Sequence, residues 1–230
     1  RLRIDRAILG HVDAPRAPVM RHEVRVQACL NPWLDDEQGA FGVKVIAERP
    51  YELELGSQRR LWIQDLELQL RIGACAAIEK LEIDFKDAFT AIWSGRCDSD
   101  SFNQLTVAAG LDWRRIAVLR AYCRYLLQAG LPFSAGYMAQ ALVSNAGASR
   151  LLADSFATRF DPALAPAVRK AQTRRLERRM QSTLDAISSS DEDRILRAFW
   201  HALSATVRTN HYQHGEDGQA KDHLSFKIES

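Results

Sequence analysis

The residues with the most obvious chemistry are Arg169, Lys170, Arg174, Arg175, Arg178 and Arg179, which follow one another at helical spacing with one acid, Glu177, among them. Such a run could hold phosphates or another anion. The chain as a whole carries a net charge of only +2, and no aromatic side chains are interleaved with the arginines. A solvated face, or one that meets acidic surface on the rest of a larger protein, is therefore the better reading, and no nucleic-acid partner is expected. His201, His211, His214 and His223 gather in the last quarter, but only His211 and His214 are close, with no cysteine nearby and no HExxH pattern. Metal binding is not expected. Asp191, Glu192 and Asp193 could suggest acid–base work, yet they fall in the first turn of a helix, where negative charge complements the helix dipole. Ser155 and Ser204 have no GxSxG context, and neither GxGxxG nor GxxxxGK[ST] occurs, so no hydrolase or dinucleotide site is expected within these residues. Arg208, Asn210 and Tyr212 remain as candidate domain-docking residues, polar groups at the end of an otherwise apolar helix. They are no sign of catalysis.

Positioning these groups falls mainly to helices. Between Trp113 and Gln128, Ile116, Leu119, Cys123, Leu126 and Leu127 recur at three- and four-residue steps, with Asp112 as N-cap and Gly130 then Pro132 as a stop. Ser134 caps a helix over 135–144, and a loop at Asn145–Gly147 leads to another over 149–160. Asp161–Pro162 predicts the opening of a long helix to about Ile187, its buried side marked by Leu164, Val168, Leu176, Met180, Leu184 and Ile187. Ser190 and Asp193 form an S-x-x-D box for a last helix over 191–212. Leu224–Ile228 alternates like a strand whose partner is absent.

The first part of the chain reads differently. Residues 1–4 alternate as a short strand; in 5–42 only His22–Leu30 has a strand's alternation. Val43–Leu55 and Arg60–Leu70 alternate about a turn at Gly56–Ser57, predicting a hairpin with one buried face. The stretch 75–93 then becomes helical, with Ile78, Leu81, Phe85, Phe89 and Ile92 inside. A polar, turn-rich segment, 95–101, marks the boundary to the helices. The expected class is α+β: a small unit over 1–95, a helical domain over 96–213, and a loop and strand over 214–230. An apolar content of 47% and a charged content of 26% suit a soluble globular protein. No apolar run approaches the ~20 residues of a membrane span, no signal-peptide pattern opens the sequence, and four scattered cysteines suit a reducing cytoplasm as small apolar fillers. A start at Arg1 without Met and a strand-like end read as an excised piece.

An ordered series of blocks adds to this. ERPYEL at 48–53, LWIQDLEL at 61–68, DFKDAFTAIWSG at 84–95, FNQLTVAAGLDWRRIAVLRAYCRYLLQAG at 102–130, LPFSAGYM at 131–138, RFDP at 159–162, SSDEDRILRAFWHALSATVRTNHYQ at 189–213 and LSFKIES at 224–230 resemble the segment upstream of the catalytic core of large bacterial NAD-dependent glutamate dehydrogenases. The resemblance implies an ACT-like module of βαββαβ type over the first unit, although no helix with an apolar stripe can be read between its first two strands. It implies a parent that deaminates L-glutamate oxidatively with NAD, which the family's downstream catalytic part binds. The expected role of 1–230 is then structural and regulatory, with the catalytic domain of the same chain, a homo-oligomer and an amino-acid effector as partners. The alternative is a stand-alone helical regulatory or scaffolding module. An unpaired terminal strand would speak against that alternative.

Overall fold

Strict alternation in two neighbouring stretches builds the hairpin that opens the described part of the chain. The structure, a computed structural model, describes residues 2–8, 41–55, 59–70, 78–216, 218, 220–221 and 223–229. Strand β1 (Leu2–Ile8), β2 (Val43–Leu55) and β3 (Arg59–Leu70) form an antiparallel sheet in the order β1-β3-β2. The register runs from Val43 opposite Leu70 to Leu55 opposite Arg59, with one irregularity between Val45 and Ala47. Val43 is buried and Val45 half-buried while Lys44 and Ile46 are exposed, as period-two alternation dictates. The strand read at His22–Leu30, the family's first helix and the turn at Gly56–Ser57 lie outside the described residues.

Helix α1 (Ile78–Trp93) lays Leu81, Phe85, Ala88, Phe89 and Ile92 against this sheet, around Phe41, Val43 and Leu68. On its flanks Lys80 pairs with Asp84 and Lys86 with Glu82, both four residues apart. Hairpin, N-terminal strand on the far side of β3, and a covering helix make the ACT-like α+β unit. Its core does not stop at the polar boundary: Val107, well inside the helical region, is buried in the same cluster, and Trp113 packs against it.

The helical domain follows. A 3-10 turn (Ser101–Gln104) and the short α2 (Leu105–Ala109) lead to α3 (Trp113–Gln128). Asp112 caps α3 as expected, its Oδ1 accepting the amides of Arg114 and Arg115 at 3.0 Å. Gly130 takes a φ of 84° past its end, a conformation only glycine adopts cheaply. Ile116, Leu119, Cys123 and Leu126 are buried, but Leu127 is 38% exposed, and Val118, Arg120 and Tyr122 are inside instead. The stripe is wider than one face because α3 is the centre of the bundle. Around it stand α4 (Ala135–Ser144), capped by Ser134, and α5 (Ala146–Phe160), entered directly from Asn145 rather than through a longer loop.

Three boundaries differ from expectation. The long helix α6 (Pro166–Leu184) starts at its second proline, not at Pro162. Begun at Pro162, it would place Pro166 where an amide must reach the carbonyl four residues back, and proline has no amide and clashes there. Pro166 therefore becomes the first helical residue, and Asp161 closes a turn by accepting the Ala163 amide at 2.8 Å. Only Met180 and Leu184 of α6 are buried, and Val168, expected inside, is 45% exposed. The last helix, α7 (Ser190–Ala205), is capped one residue earlier than expected, by Ser189 on the Glu192 amide at 3.4 Å. It also ends early. Thr206, Val207 and Thr209 form strand β4 (Thr206–Thr209), paired antiparallel with β5 (Phe226–Ile228). A run rich in β-branched residues prefers the strand once a partner is at hand. The C-terminal strand therefore has its partner within the chain.

Candidate functional site

The polar cluster singled out in the sequence lies on and just after β4, not at a helix end. Arg208 stands opposite Lys227 in the ladder and both are exposed. Asn210 is buried and ties the two ends of the connecting loop together. Its Nδ2 donates to the His223 carbonyl at 3.0 Å, and its Oδ1 accepts the Ser225 amide at 2.7 Å. Tyr212 lies half-buried against α5, its hydroxyl 3.5 Å from the Ala157 carbonyl. Asn210 and Tyr212 thus hold the strand pair to its own chain, while Arg208 and Lys227 form a like-charged pair facing outward.

What pins the strand pair to the bundle is Tyr122, fully buried on α3. Its ring stacks on Phe226 of β5 with centroids 4.5 Å apart and meets Phe156 of α5 edge-on at 6.2 Å. Its hydroxyl lies 2.8 Å from Thr206 Oγ1. Because Thr206 Oγ1 donates to the Ala202 carbonyl at 2.8 Å, the tyrosine must be the donor between the two hydroxyls. Burial, partly offset by the Thr206 hydrogen bond, holds the phenol well above its ordinary pKa, so it stays protonated. Sequence pattern could have found Tyr122, three residues from Leu119 and four from Leu126 on the apolar stripe. Nothing in the pattern marked Thr206 or Phe226 as its partners.

Further ties run in the same direction. Asn145 donates to Glu192 at 2.8 Å, so an acid in the first turn of α7 serves helix packing as well as the helix dipole. His211 sits edge-on to Phe156 at 5.3 Å and to Tyr212 at 4.9 Å. Burial first, and then the charges of Arg114 and Arg115 against the opposing Asp112, lower its pKa below 6.5. An unfolded chain therefore takes up this proton first as pH falls. The stability that neutral His211 contributes is complete above the unfolded value and declines as pH drops through about 6.5 toward the folded one. Urea midpoints at pH 7.5 and 5.5 check this: His211→Phe should lose less stability on acidification than the parent chain. An equal loss would leave His211 without a role in the acid response.

Two residues before Tyr122 on α3, Arg120 joins the bundle to the exit of the ACT-like unit. Its side chain is 6% exposed and grips Asp100 with two bonds, Nε to Oδ2 at 2.7 Å and Nη2 to Oδ1 at 2.8 Å. Nη2 also reaches Asn103 Oδ1 at 2.9 Å, and Nη1 lies 3.4 Å from Cys97 Sγ. Burial works against this charge, yet the hydrogen bonds and charge of Asp100 outweigh it and raise the guanidinium pKa. Cys97 is thus more than an apolar filler, whereas Cys123 fits that description, its thiol pushed by burial to about 11. Among the described residues no group of His, Cys, Asp or Glu has the arrangement to hold a metal ion, and no helix is long and apolar enough to cross a membrane.

An ACT-like α+β unit continuous with a helical domain, whose last strands fold back onto that domain, is the class of protein that this architecture defines. Three family models match it in order: glutamate dehydrogenase ACT3 domain at residues 39–82, glutamate dehydrogenase helical motif 3 at 97–162, and the catalytic domain of bacterial NAD-glutamate dehydrogenase at 179–230. The NAD-specific glutamate dehydrogenases of Halomonas elongata and Pseudomonas aeruginosa are each 39% identical, and that of Mycobacterium tuberculosis 32% identical, over 82% of this chain. The chain belongs to the bacterial NAD-specific glutamate dehydrogenase family. It spans 12% of the length of these relatives. The catalytic-domain match reaches back to residue 179, inside α6, whereas the sequence alone suggested a join at 214. Tyr122 and Phe156 lie in the helical-motif match, and Thr206, His211 and Phe226 in the catalytic-domain match.

Proposed function

We propose that residues 1–230 are a structural and regulatory region, without catalytic groups of its own, of an enzyme that converts L-glutamate, NAD and water to 2-oxoglutarate, ammonia and NADH. The observation that carries this reading is the Tyr122 joint. A side chain of the helical motif closes the core around the strands where the catalytic-domain match lies, so the bundle fixes where that domain's first strands stand. Arg208, beside Lys227, is the outward-facing docking group for the catalytic domain of the same chain; Asn210 and Tyr212 hold the strand pair that presents it. NAD is bound by that domain and not by these residues. The ACT-like unit is the place for an amino-acid effector, and the enzyme works as a cytoplasmic homo-oligomer. The proposed division is an ACT-like unit over 1–95, a helical domain over 96–213, and a lead into the catalytic part beyond.

Glutamate-dependent NAD reduction tests this, run on residues 1–230 and on a polypeptide of the relatives' full length. Activity is expected only in the longer polypeptide. Activity in the shorter one would mean that these residues carry a catalytic site and overturn the reading. The alternative, a stand-alone helical module, draws support from one observation: the terminal strand β5 is paired, as an independent module would require. Activity in the longer polypeptide excludes it.

A further inference from the structure

Several of the described arginines are held by partners. Arg115 pairs with Asp154, Arg120 with Asp100, Arg124 with Asp98 and Arg197 with Asp193, and Arg169 turns inward to the carbonyls of Asp161 and Leu164. The solvent face of α6 differs from these. Lys170, Arg174 and Arg178 recur at four-residue steps on one stripe, and Arg175 and Arg179 on the next; all five are exposed, and no ion pair reaches them among the described residues. The helix holds six basic residues and one acid, a net +5, in a chain of net +2. The remainder of the chain is thus net acidic, yet none of its described acids folds onto this face.

Met180, Leu184 and Leu176 hold this helix to the bundle, but its solvent face carries unrelieved repulsion. Like charges four residues apart repel, and a helix in water depends on packing an apolar face. Here only Met180 and Leu184 are buried, near the C-terminal end, while Val168 is exposed toward the other. Carboxylates brought from outside would relieve the repulsion and cover the helix. We propose that this face docks an acidic surface of the same polypeptide lying outside residues 1–230. The proposal rests on the functional reading above, that the chain is part of a longer glutamate dehydrogenase.

Two observations favour that occupant. The relatives are far longer, with this chain spanning 12% of their length, so most of the surface of such an enzyme lies elsewhere in its polypeptide. Four of the five basic residues, Lys170, Arg174, Arg175 and Arg178, lie between the helical-motif match, which ends at 162, and the catalytic-domain match, which Arg179 opens. The basic face therefore flanks the joint between two parts of one enzyme. Nucleic acid is the less suited occupant: α6 contains no aromatic residue on which a base could stack, and Glu177 interrupts the charge.

The test uses the full-length enzyme with Arg174→Lys, Arg175→Lys and Arg178→Lys together, which keeps the charge and adds amines. A water-soluble carbodiimide then forms an amide, with loss of water, only where a lysine Nζ touches a carboxylate. Mass spectrometry should find α6 lysines joined to Asp or Glu of a peptide outside residues 1–230. Mixing isotope-labelled and unlabelled subunits should place both ends in one polypeptide. In a second variant, Arg174→Glu, Arg175→Glu and Arg178→Glu, the cross-link from Lys170 should fall at least tenfold, with helical circular dichroism unchanged, and reversing the identified acids to lysine should restore it. Cross-links confined to residues 1–230, links between polypeptides, no cross-link at all, or blocking by a DNA duplex in a steeply salt-dependent way would overturn the proposal. Glutamate-dependent NAD reduction by the unsubstituted enzyme, measured on the same preparation, reports separately on the reading beneath it.

Discussion

Replacing Asp100 with alanine should lower the unfolding free energy by about 3–5 kcal/mol, the range for stripping a buried charge of its partner. Replacing Arg120 with methionine should cost less, about 2–3 kcal/mol by the same reasoning. The difference lies in which charge is left behind. Arg120 is 6% exposed and Asp100 35%, so an abandoned guanidinium stays out of water while an abandoned carboxylate reaches it. Asp100 also caps the 3-10 turn by accepting the Phe102 amide at 3.0 Å, and losing a cap adds about 1 kcal/mol. Methionine, by contrast, can fill the space of the arginine stem against Phe102. Urea unfolding of the two variants measures the order directly. A smaller loss for Asp100→Ala would mean that Asn103 and the Asp98 carbonyl, 3.4 Å from Nη2, suffice for Arg120 without its carboxylate.

Tyr122→Ala should cost about 3–5 kcal/mol, as for other fully buried aromatic residues cut to alanine. Tyr122→Phe should cost only about 1 kcal/mol, because Thr206 keeps its own donor bond to Ala202 and loses a single accepted one. Thermal unfolding followed by near-ultraviolet circular dichroism separates the two, since the stacked pair with Phe226 survives in the phenylalanine variant alone. If Tyr122→Ala unfolded with a midpoint near that of the parent, the strand pair would not depend on this ring. The joint would then lie with Asn210 and Asn145 instead.

The hairpin, the covering helix α1, α3 and α4 were legible in the sequence because each is set by local rules. Alternation turned Val43 inward and Lys44 and Ile46 outward at the start of β2, and Asp112 and Ser134 stand where a helix needs an oxygen to satisfy its first amides. The misplaced start of α6 was a local matter too, since Pro166 carried the answer and Pro162 drew attention away from it. The family was legible for a different reason, as an ordered set of blocks over most of the chain.

The end of α7 was not legible, because Thr206 to Thr209 become a strand only when Phe226 to Ile228 come alongside. Such pairing is decided between residues distant in sequence. For the same reason Leu127 faces water while Arg120 is buried: a central helix has several neighbours, and no single stripe predicts them. Val107 belonging to the sheet's core, and Tyr122 reaching across to Thr206, are likewise choices made by packing. The sequence by itself determined the hairpin, α1, α3 and α4, the caps Asp112 and Ser134 and the family, since those depend on neighbours along the chain. The tertiary structure decided which polar groups are buried, which strands pair and which basic face is left open, because burial and charge pairing depend on neighbours in space.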